Sequence, residues 1–518
     1  MIKLKKLTSR LILGVLLFSF CLPVFAIETE DSAEFKPAAG QLQAVISAAE
    51  AVAVGVEIDF SAEHSLNPFL ERPAVFSWNF GDGSTGTGAE QSHIFRTAGV
   101  YEIQLKMQVG SETDTASFPL FVFEKNILLL TDSFSREIKI ALLAEAAKER
   151  NIFLDTAWGV GNQAGFFAEE NAITAALQEK FPTLRDTDSI ILWARGGDGL
   201  NGLSGFAQKL NPPLDFSDKE VVVITEGSLD SLVRIARGNF AILQPREIII
   251  TRVEALRDVI LSANSTELKA SLETQAIPLR VVDSGLEKFS FKSPLSFLVN
   301  YLISEGIPPS VILLVLMLPV IATLVAFLKQ VVGITTFGVY TPSVLTLSFL
   351  AIGLKLGIAI LFVVVFASIL IRRILRRYRL AYTPRLAIVL TFVSFAIFAS
   401  IVLLTWLAPF GQYFRVADLI AASIFPMLIM STLAEKFVSI QSEKGASSAI
   451  RMFAELLFVS LVCYLVVGEW SYLRTTMLAH SEIIFLFLLA DIMLGKFTGL
   501  RITEYIRFRE VINKAEEE

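Results

Sequence analysis

The chain changes hydrophobic rhythm twice, and each change marks a different kind of structure. From about residue 50 to 123 the apolar positions alternate: Val54, Val56, Ile58 and Phe60 in one run, Tyr101, Ile103, Leu105 and Met107 in another. A period of two places every second side chain on one face, as in a half-buried strand. Between the runs, Trp78-Asn79-Phe80-Gly81-Asp82-Gly83 sets an aspartate between two glycines, which favours a tight turn with positive φ. An all-β module is expected over 50–123.

From about 125 to 285 the rhythm becomes short unbroken apolar runs divided by helical stretches. The runs are Asn126–Asp132, Ser189–Trp193, Val221–Thr225 and Ile248–Thr251, and the stretch Arg136–Arg150 carries Ile138, Leu142 and Ala146 four apart. Unbroken strands alternating with helices predict a parallel sheet covered on both faces, a Rossmann-like, three-layer α/β domain. Such sheets bind ligands beyond the carboxyl ends of their strands. Asp132, Gly196, Gly197, Asp198 and Glu226 fall there and are the candidate ligand positions of this domain. The run Arg195-Gly196-Gly197-Asp198-Gly199 could cradle an anion or a sugar, or form ordinary strand-to-helix turns. It has neither the dinucleotide fingerprint nor the P-loop spacing.

After Pro308 the apolar runs become long enough to cross a bilayer, which takes about 20 residues. Spans are expected near 309–328, 332–353, 354–371, 386–407, 416–434, 450–468 and 481–499. Basic residues cluster after the third span (Arg372, Arg373, Arg376, Arg377, Arg379), between the fifth and sixth (Lys436, Lys444, Arg451) and after the seventh (Arg501, Arg507, Arg509, Lys514). The opposite loops carry only Lys355, Arg415 and Arg474. The positive-inside rule then puts the C-terminus in the cytoplasm and residues before 308 outside. The N-terminus agrees. Lys3, Lys5, Lys6 and Arg10 precede an apolar stretch that ends near Val24-Phe25-Ala26, the layout of a secretory signal. The expected division is a signal peptide over 1–26, a linker over 27–49, the β module, the α/β domain, a linker over 286–307, seven membrane helices over 308–500 and a tail over 501–518.

Two places in the membrane part break the apolar pattern. Span two opens with Gly333, Thr335, Thr336, Gly338, Tyr340, Thr341 and Pro342. Proline frees a backbone carbonyl, and broken helix at membrane depth must be buried in protein or line a cavity. Small-residue helix packing is the other reading. Asp491 lies mid-span with Lys496 near the inner end, and Glu435 and Glu455 sit at or near helix ends. An intramembrane carboxylate is costly and should face the interior of the bundle.

Composition narrows the function. A mean hydropathy of +0.59 fits a chain partly in lipid. A net charge of -6 gives no basic field for nucleic acid. The cysteines are Cys21, in the signal, and Cys463, in an apolar helix, so the outer region has no thiolate nucleophile, disulfide or Cys-rich metal site. No cofactor is expected. An intramembrane aspartyl protease needs two membrane aspartates, and Asp491 is alone at depth. The three histidines offer neither a serine–histidine site nor a metal cluster.

Two family resemblances rest on specific residues. "WNFGDGSTGTG", "HIF" and "AGVYEIQLKM" resemble the PKD domain, an immunoglobulin-like β-sandwich, which implies a core holding Trp78 and Tyr101 and a protein or glycan partner. Asp82 there could bind calcium or cap the turn. "GITTFGVYTPSVLTLSFLAIGLKLG", "YTPRLAI", "FPMLIMSTLAEKFVSIQSEKG" and "GKFTGLRITEYIRFRE" resemble the bacterial seven-transmembrane-helix family usually fused to an inactive transglutaminase-like domain. That resemblance implies a non-enzymatic protein of the inner membrane with cytoplasmic ATP-grasp or protease-like partners, and it marks Arg385, Glu435, Arg501, Glu504 and Arg507 as family-pattern positions. No transglutaminase-like segment is seen. The expected function is a receptor or scaffold that passes the state of its outer domains inward. The alternative is a transporter using span two and Asp491, against which stands the lack of an internal repeat.

Overall fold

In a computed structural model, residues 42–505 are described apart from 70–71, 161–167, 284–292, 306, 308, 335–337, 376–377, 379–383, 385–386, 389–390, 393, 397, 400–445 and 469. They fall into two compact units: one holds 57–94 and 100–120, the other 51–56, 95–99 and the chain from 121 onward.

The strands of the β module are β1 (Ala51–Ala53), β2 (Glu57–Ser61), β3 (Val75–Asn79), β4 (Thr85–Thr87), β5 (Glu90–Ile94), β6 (Gly99–Val109) and β7 (Glu112–Phe123). They form a five-stranded sheet in the order β1-β7-β6-β3-β4 and a two-stranded sheet β2-β5. The alternation holds within the strands, where Ile58 and Phe60 point inward from β2 and Ile103, Leu105 and Met107 from β6; Val56, in the turn before β2, is exposed, and Val54 and Tyr101 are half-buried. Trp78 is fully buried between Phe60 and Phe80, and its indole N–H donates to the Gly88 carbonyl at 2.9 Å. Asp82 serves its turn. Its carboxylate accepts from the Ser84 backbone at 2.9 Å and lies 2.7 Å from His93 Nε2. Gly81 and Gly83 supply the positive φ that the turn needs. Burial pushes the Asp82 carboxyl up, but the bonds from Ser84 and His93 outweigh it and hold it down at about 2.

In the second unit, β8 (Lys125–Thr131), β9 (Ile152–Trp158), β10 (Ser189–Trp193), β11 (Glu220–Thr225), β12 (Glu247–Arg252) and β13 (Leu279–Val282) form a six-stranded sheet in the order β13-β12-β11-β10-β8-β9. All pairings are parallel except β12 with β13. Both faces are covered, which is why the strands read as unbroken apolar runs. Ile127, Leu129, Ile191, Val222 and Ile249 pack against α1 (Glu137–Lys148), α6 (Leu256–Leu261) and α7 (Ser265–Thr274). Leu128, Leu130, Ile190, Val221 and Ile248 pack against α2 (Ala168–Glu179), α3 (Phe181–Arg185), α4 (Asp198–Lys209) and α5 (Leu229–Leu243).

The core on that second face continues into the apolar helices. These are α8 (Pro294–Ser304), α9 (Pro309–Phe327), α10 (Tyr340–Ile352), α11 (Leu354–Leu375), α12 (Ala446–Gly468), α13 (Ser471–Ala479) and α14 (Ile483–Gly495). Among the described residues, three helical stretches are long and apolar enough to span a bilayer: 309–332, 357–375 and 450–468. Counting α13 and α14, which meet at 107°, as one broken span makes four. The fifth expected span, and most of the fourth, lie outside the described residues.

Three local expectations change. Span two is not a full helix: α10 has 13 residues, about 20 Å at 1.5 Å per residue. It is preceded by glycines at positive φ, Gly333 and Gly338. The segment read as a linker over 286–307 contains α8, packed on α5: a Cβ on Gly238 would lie 3.2 Å from Ile303. The loop before span seven is itself a helix, α13.

Candidate functional site

The carboxyl ends of β10 and β11 open into a cleft of about 170 Å³, and its roof is α13. The strands supply Trp193, Arg195 and Gly196 on one side and Thr225, Glu226 and Gly227 on the other. Tyr472, Thr475 and Thr476 close it. β9 and β10 lie on opposite sides of β8, so the connections change direction between β8 and β10, one strand from the cleft, and Arg136, which follows β8, borders it from that side. Two helices start at this edge. α4 follows Gly197, and α5 is capped by Ser228, whose hydroxyl accepts from Ser231 N at 3.3 Å.

The charged groups are ordered by one another. Asp132 accepts from Arg136 at 2.8 Å and from the Arg195 backbone N–H at 2.9 Å, so it fixes the turn after β10. Arg136 also donates to Thr131 Oγ1 at 3.1 Å, and its guanidinium lies 4.3 Å from the centre of the Trp193 ring. Arg195 is 64% exposed at the rim. Gly196 has φ +55, and a Cβ there would meet Thr475 Oγ1 at 2.5 Å, so a bare backbone is what allows α13 this close. Arg474 of α13 reaches Asp198, at the start of α4, at 3.8 Å. The wall thus combines cationic Arg136 and Arg195, one carboxylate at Glu226, several hydroxyls and two aromatic rings. Because Asp132 pairs with Arg136 and Glu226 adds a second carboxylate, the lining is mixed in charge and suits a small polar ligand.

The roof is tied down at its elbow. Glu482 accepts from the Ser296 backbone N–H at 2.8 Å and from the Ser296 hydroxyl at 2.5 Å, in the first turn of α8. Ser296 Oγ also accepts from Ser481 N at 3.3 Å. Glu170 of α2 is half-buried, and its partial desolvation raises its carboxyl above the usual range although Ser310, at the start of α9, bonds to it.

Gly196 and Glu226 line the cleft. Asp132 and Asp198 stand behind it as positioning groups, and Gly197 lies just before α4. Sequence reasoning missed Arg136, Trp193 and the whole of α13. Arg136 was legible only as a helix start.

The membrane positions form a second group. Thr341, Ser343, Thr346 and Ser348 are buried on α10. The Pro342 carbonyl accepts from Thr346 Oγ1 at 2.8 Å and from Ser460 Oγ of α12 at 3.2 Å. Ser460 is well inside α12, so the first turn of α10 packs against the middle of a spanning helix. Asp491 accepts from Thr323 Oγ1 at 3.1 Å, and its Oδ1 is buried without a hydrogen-bond partner. Gly333 abuts Arg501 and Thr503, and the Arg501 N–H bonds to Glu504 at 3.2 Å. Tyr340 is exposed, Glu455 half-buried, and Lys496 ends α14. Thr335, Thr336, Arg385, Glu435 and Arg507 lie outside the described residues.

Comparison with known proteins gives two family matches. Residues 261–512 match the family described as seven transmembrane helices usually fused to an inactive transglutaminase, and residues 43–122 match the PKD domain. No curated protein matches. Among solved structures, a sialyltransferase from Photobacterium damsela aligns at 12% identity over 50% of this chain, spanning 65% of that one. Its TM-score of 0.18 carries no argument about fold or activity.

Proposed function

Starting from a multi-pass membrane protein whose residues 261–512 belong to the seven-transmembrane-helix family usually fused to an inactive transglutaminase, with a PKD domain at 43–122, we propose that it is a non-enzymatic receptor or scaffold of the bacterial inner membrane. In this reading the Rossmann-like α/β domain lies outside and binds a small polar ligand between its sheet edge and α13. One observation carries the reading: the roof of the cleft, α13, turns directly into membrane helix α14. A ligand that favours one position of α13 shifts the equilibrium of α14 by its difference in affinity for the two positions. The PKD domain supplies a protein or glycan contact of its own.

Orientation follows from charge. α9 starts beside Glu170 of the α/β domain and ends near Lys329, and α14 ends at Lys496 with Arg501 beyond. Basic residues thus gather at the end away from the α/β domain, which supports a cytoplasmic C-terminus.

The test pins the cleft. In the variant Gly196→Cys/Thr475→Cys, oxidation ties α13 to the sheet edge. The proteins cross-linked to the 501–518 tail are then compared in oxidised and reduced membranes. A receptor gives a set that changes with redox state and is lost when the tail is removed; an unchanged set refutes the reading. The transporter alternative draws on the broken α10 entry and the lone Oδ1 of Asp491. It predicts solute or proton flux in vesicles that is abolished in Asp491→Asn.

A further inference from the structure

α8 is built inside out for a helix at a water surface. Its polar residues Ser296 and Asn300 are buried, at 5% and 6% exposure, and two of its largest side chains are not: Leu298 is 48% exposed and Tyr301 44%. Ile307, just beyond it, is 37% exposed. Residues 293–304 contain no charged side chain. At 11 residues the helix is about 16 Å long, too short to cross a bilayer of about 30 Å. Its inner side is fully used: Val299 and Ile303 are buried, and Asn300 and Ile303 lie against Gly238 of α5. The outer, apolar side is left over.

The neighbours say what covers it. The first turn of α8 is bonded to Glu482 at the elbow where α14 begins. Its last turn leads within five residues to Pro309, the start of the spanning helix α9. Both ends are therefore held at the point where membrane helices start. On α13 and just before it, Tyr472 and Trp470 are exposed in the way of aromatics at the headgroup level. We infer that α8 is an in-plane interfacial helix whose Leu298–Tyr301 face lies in the headgroup and upper acyl layer of the bilayer, while its polar side carries the α/β domain. Buried to about 5–10 Å, such a face takes its stability from apolar area removed from water. The inference needs the membrane assignment alone and holds whether or not the cleft binds a ligand. Its consequence is that the α/β domain is held on the lipid surface by a side it shares with α5 and does not swing on a linker.

The test is depth measurement by spin-label accessibility on the full chain in lipid nanodiscs, in a background with Cys21→Ser and Cys463→Ala. Labels go at Leu298→Cys and Tyr301→Cys. Val315→Cys, on the exposed side of α9, reports lipid, and Glu145→Cys, on α1, reports water. At 298 and 301, collisions with oxygen should exceed those with a water-soluble nickel complex, with a ratio between the two controls and on the Val315 side of their midpoint. A ratio equal to that of Glu145 would mean solvent and overturn the inference. So would low collision with both reagents, which would mean a protein cover, or label–label broadening that disappears on dilution with unlabelled chain, which would mean a second copy.

Discussion

The Gly196–Thr475 approach is the sharpest joint between the α/β domain and the membrane helices, and a disulfide tests it. An ideal Cβ on Gly196 lies 3.8 Å from Thr475 Cβ, the mean Cβ–Cβ separation of natural disulfides, which is about 3.8 Å. Cysteine at 196 must adopt φ +55, which costs about 1–2 kcal/mol for a residue with a Cβ. The reduced double variant is therefore expected to be less stable than the parent by that amount. Closing the bond constrains the unfolded chain between two distant positions, typically worth about 2–4 kcal/mol. The oxidised form should then exceed the parent by about 0–3 kcal/mol and the reduced form by about 2–4 kcal/mol. The assay is thermal unfolding in detergent with and without reductant, with peptide mapping of the bond after mild oxidation in native membranes. If no 196–475 bond forms, or if it forms only between molecules, then α13 does not roof the sheet and the proposed coupling has no path.

Other consequences follow from single groups. Glu482→Gln weakens the charge-assisted bonds to Ser296 and should lower stability by about 1 kcal/mol, read as a fall in unfolding temperature that Ser296→Ala does not add to. The Asp82 carboxyl is held at about 2, below its ordinary value of 3.8, so its contribution is present above pH 3.8 and is lost as pH falls toward 2. Asp82→Asn should remove that part of the acid sensitivity, measured by hydrogen exchange of residues 80–95 in the full chain, and calcium should not alter the exchange. Glu170 has the opposite sign. Its raised carboxyl favours the fold at low pH and loses that contribution as pH rises. Glu170→Gln should therefore gain in unfolding temperature relative to the parent as pH rises, and an unchanged difference across the pH series would refute this.

Short-range physics made much of this legible in the sequence. The period of two at 58–60 and 103–107 matches the side chains that enter the sandwich, because alternation leaves one face for the core; Val56, in the same run, is 51% exposed because the strand begins only at Glu57. The unbroken runs at 127–130, 190–193 and 221–224 announced strands buried on both faces, because no polar residue could stand on either side. Long apolar runs with arginines at one end required lipid and set an order of crossing. Gly333 and Gly338 marked a helix that could not continue, and both take positive φ before α10 begins at Tyr340, with Pro342 in its first turn.

What depended on distant parts of the chain was not legible. Ile138 and Leu142 look like the inner stripe of α1, yet they are 78% and 69% exposed, and Ile140 and Ala147 are buried instead. An apolar residue does not say which side the sheet will lie on. Residues 471–479 read as a loop between spans; a helix forms there because Met477 and Leu478 are buried in the core and Thr475 fits beside the bare backbone of Gly196. Asp132 looked like a ligand group, but Arg136 and the Arg195 backbone claim it, and that competition exists only once β8 and β10 are neighbours. The sequence decided which segments must leave water. The fold decided which of them would meet, because a cleft depends on distances across the sheet that no local pattern encodes.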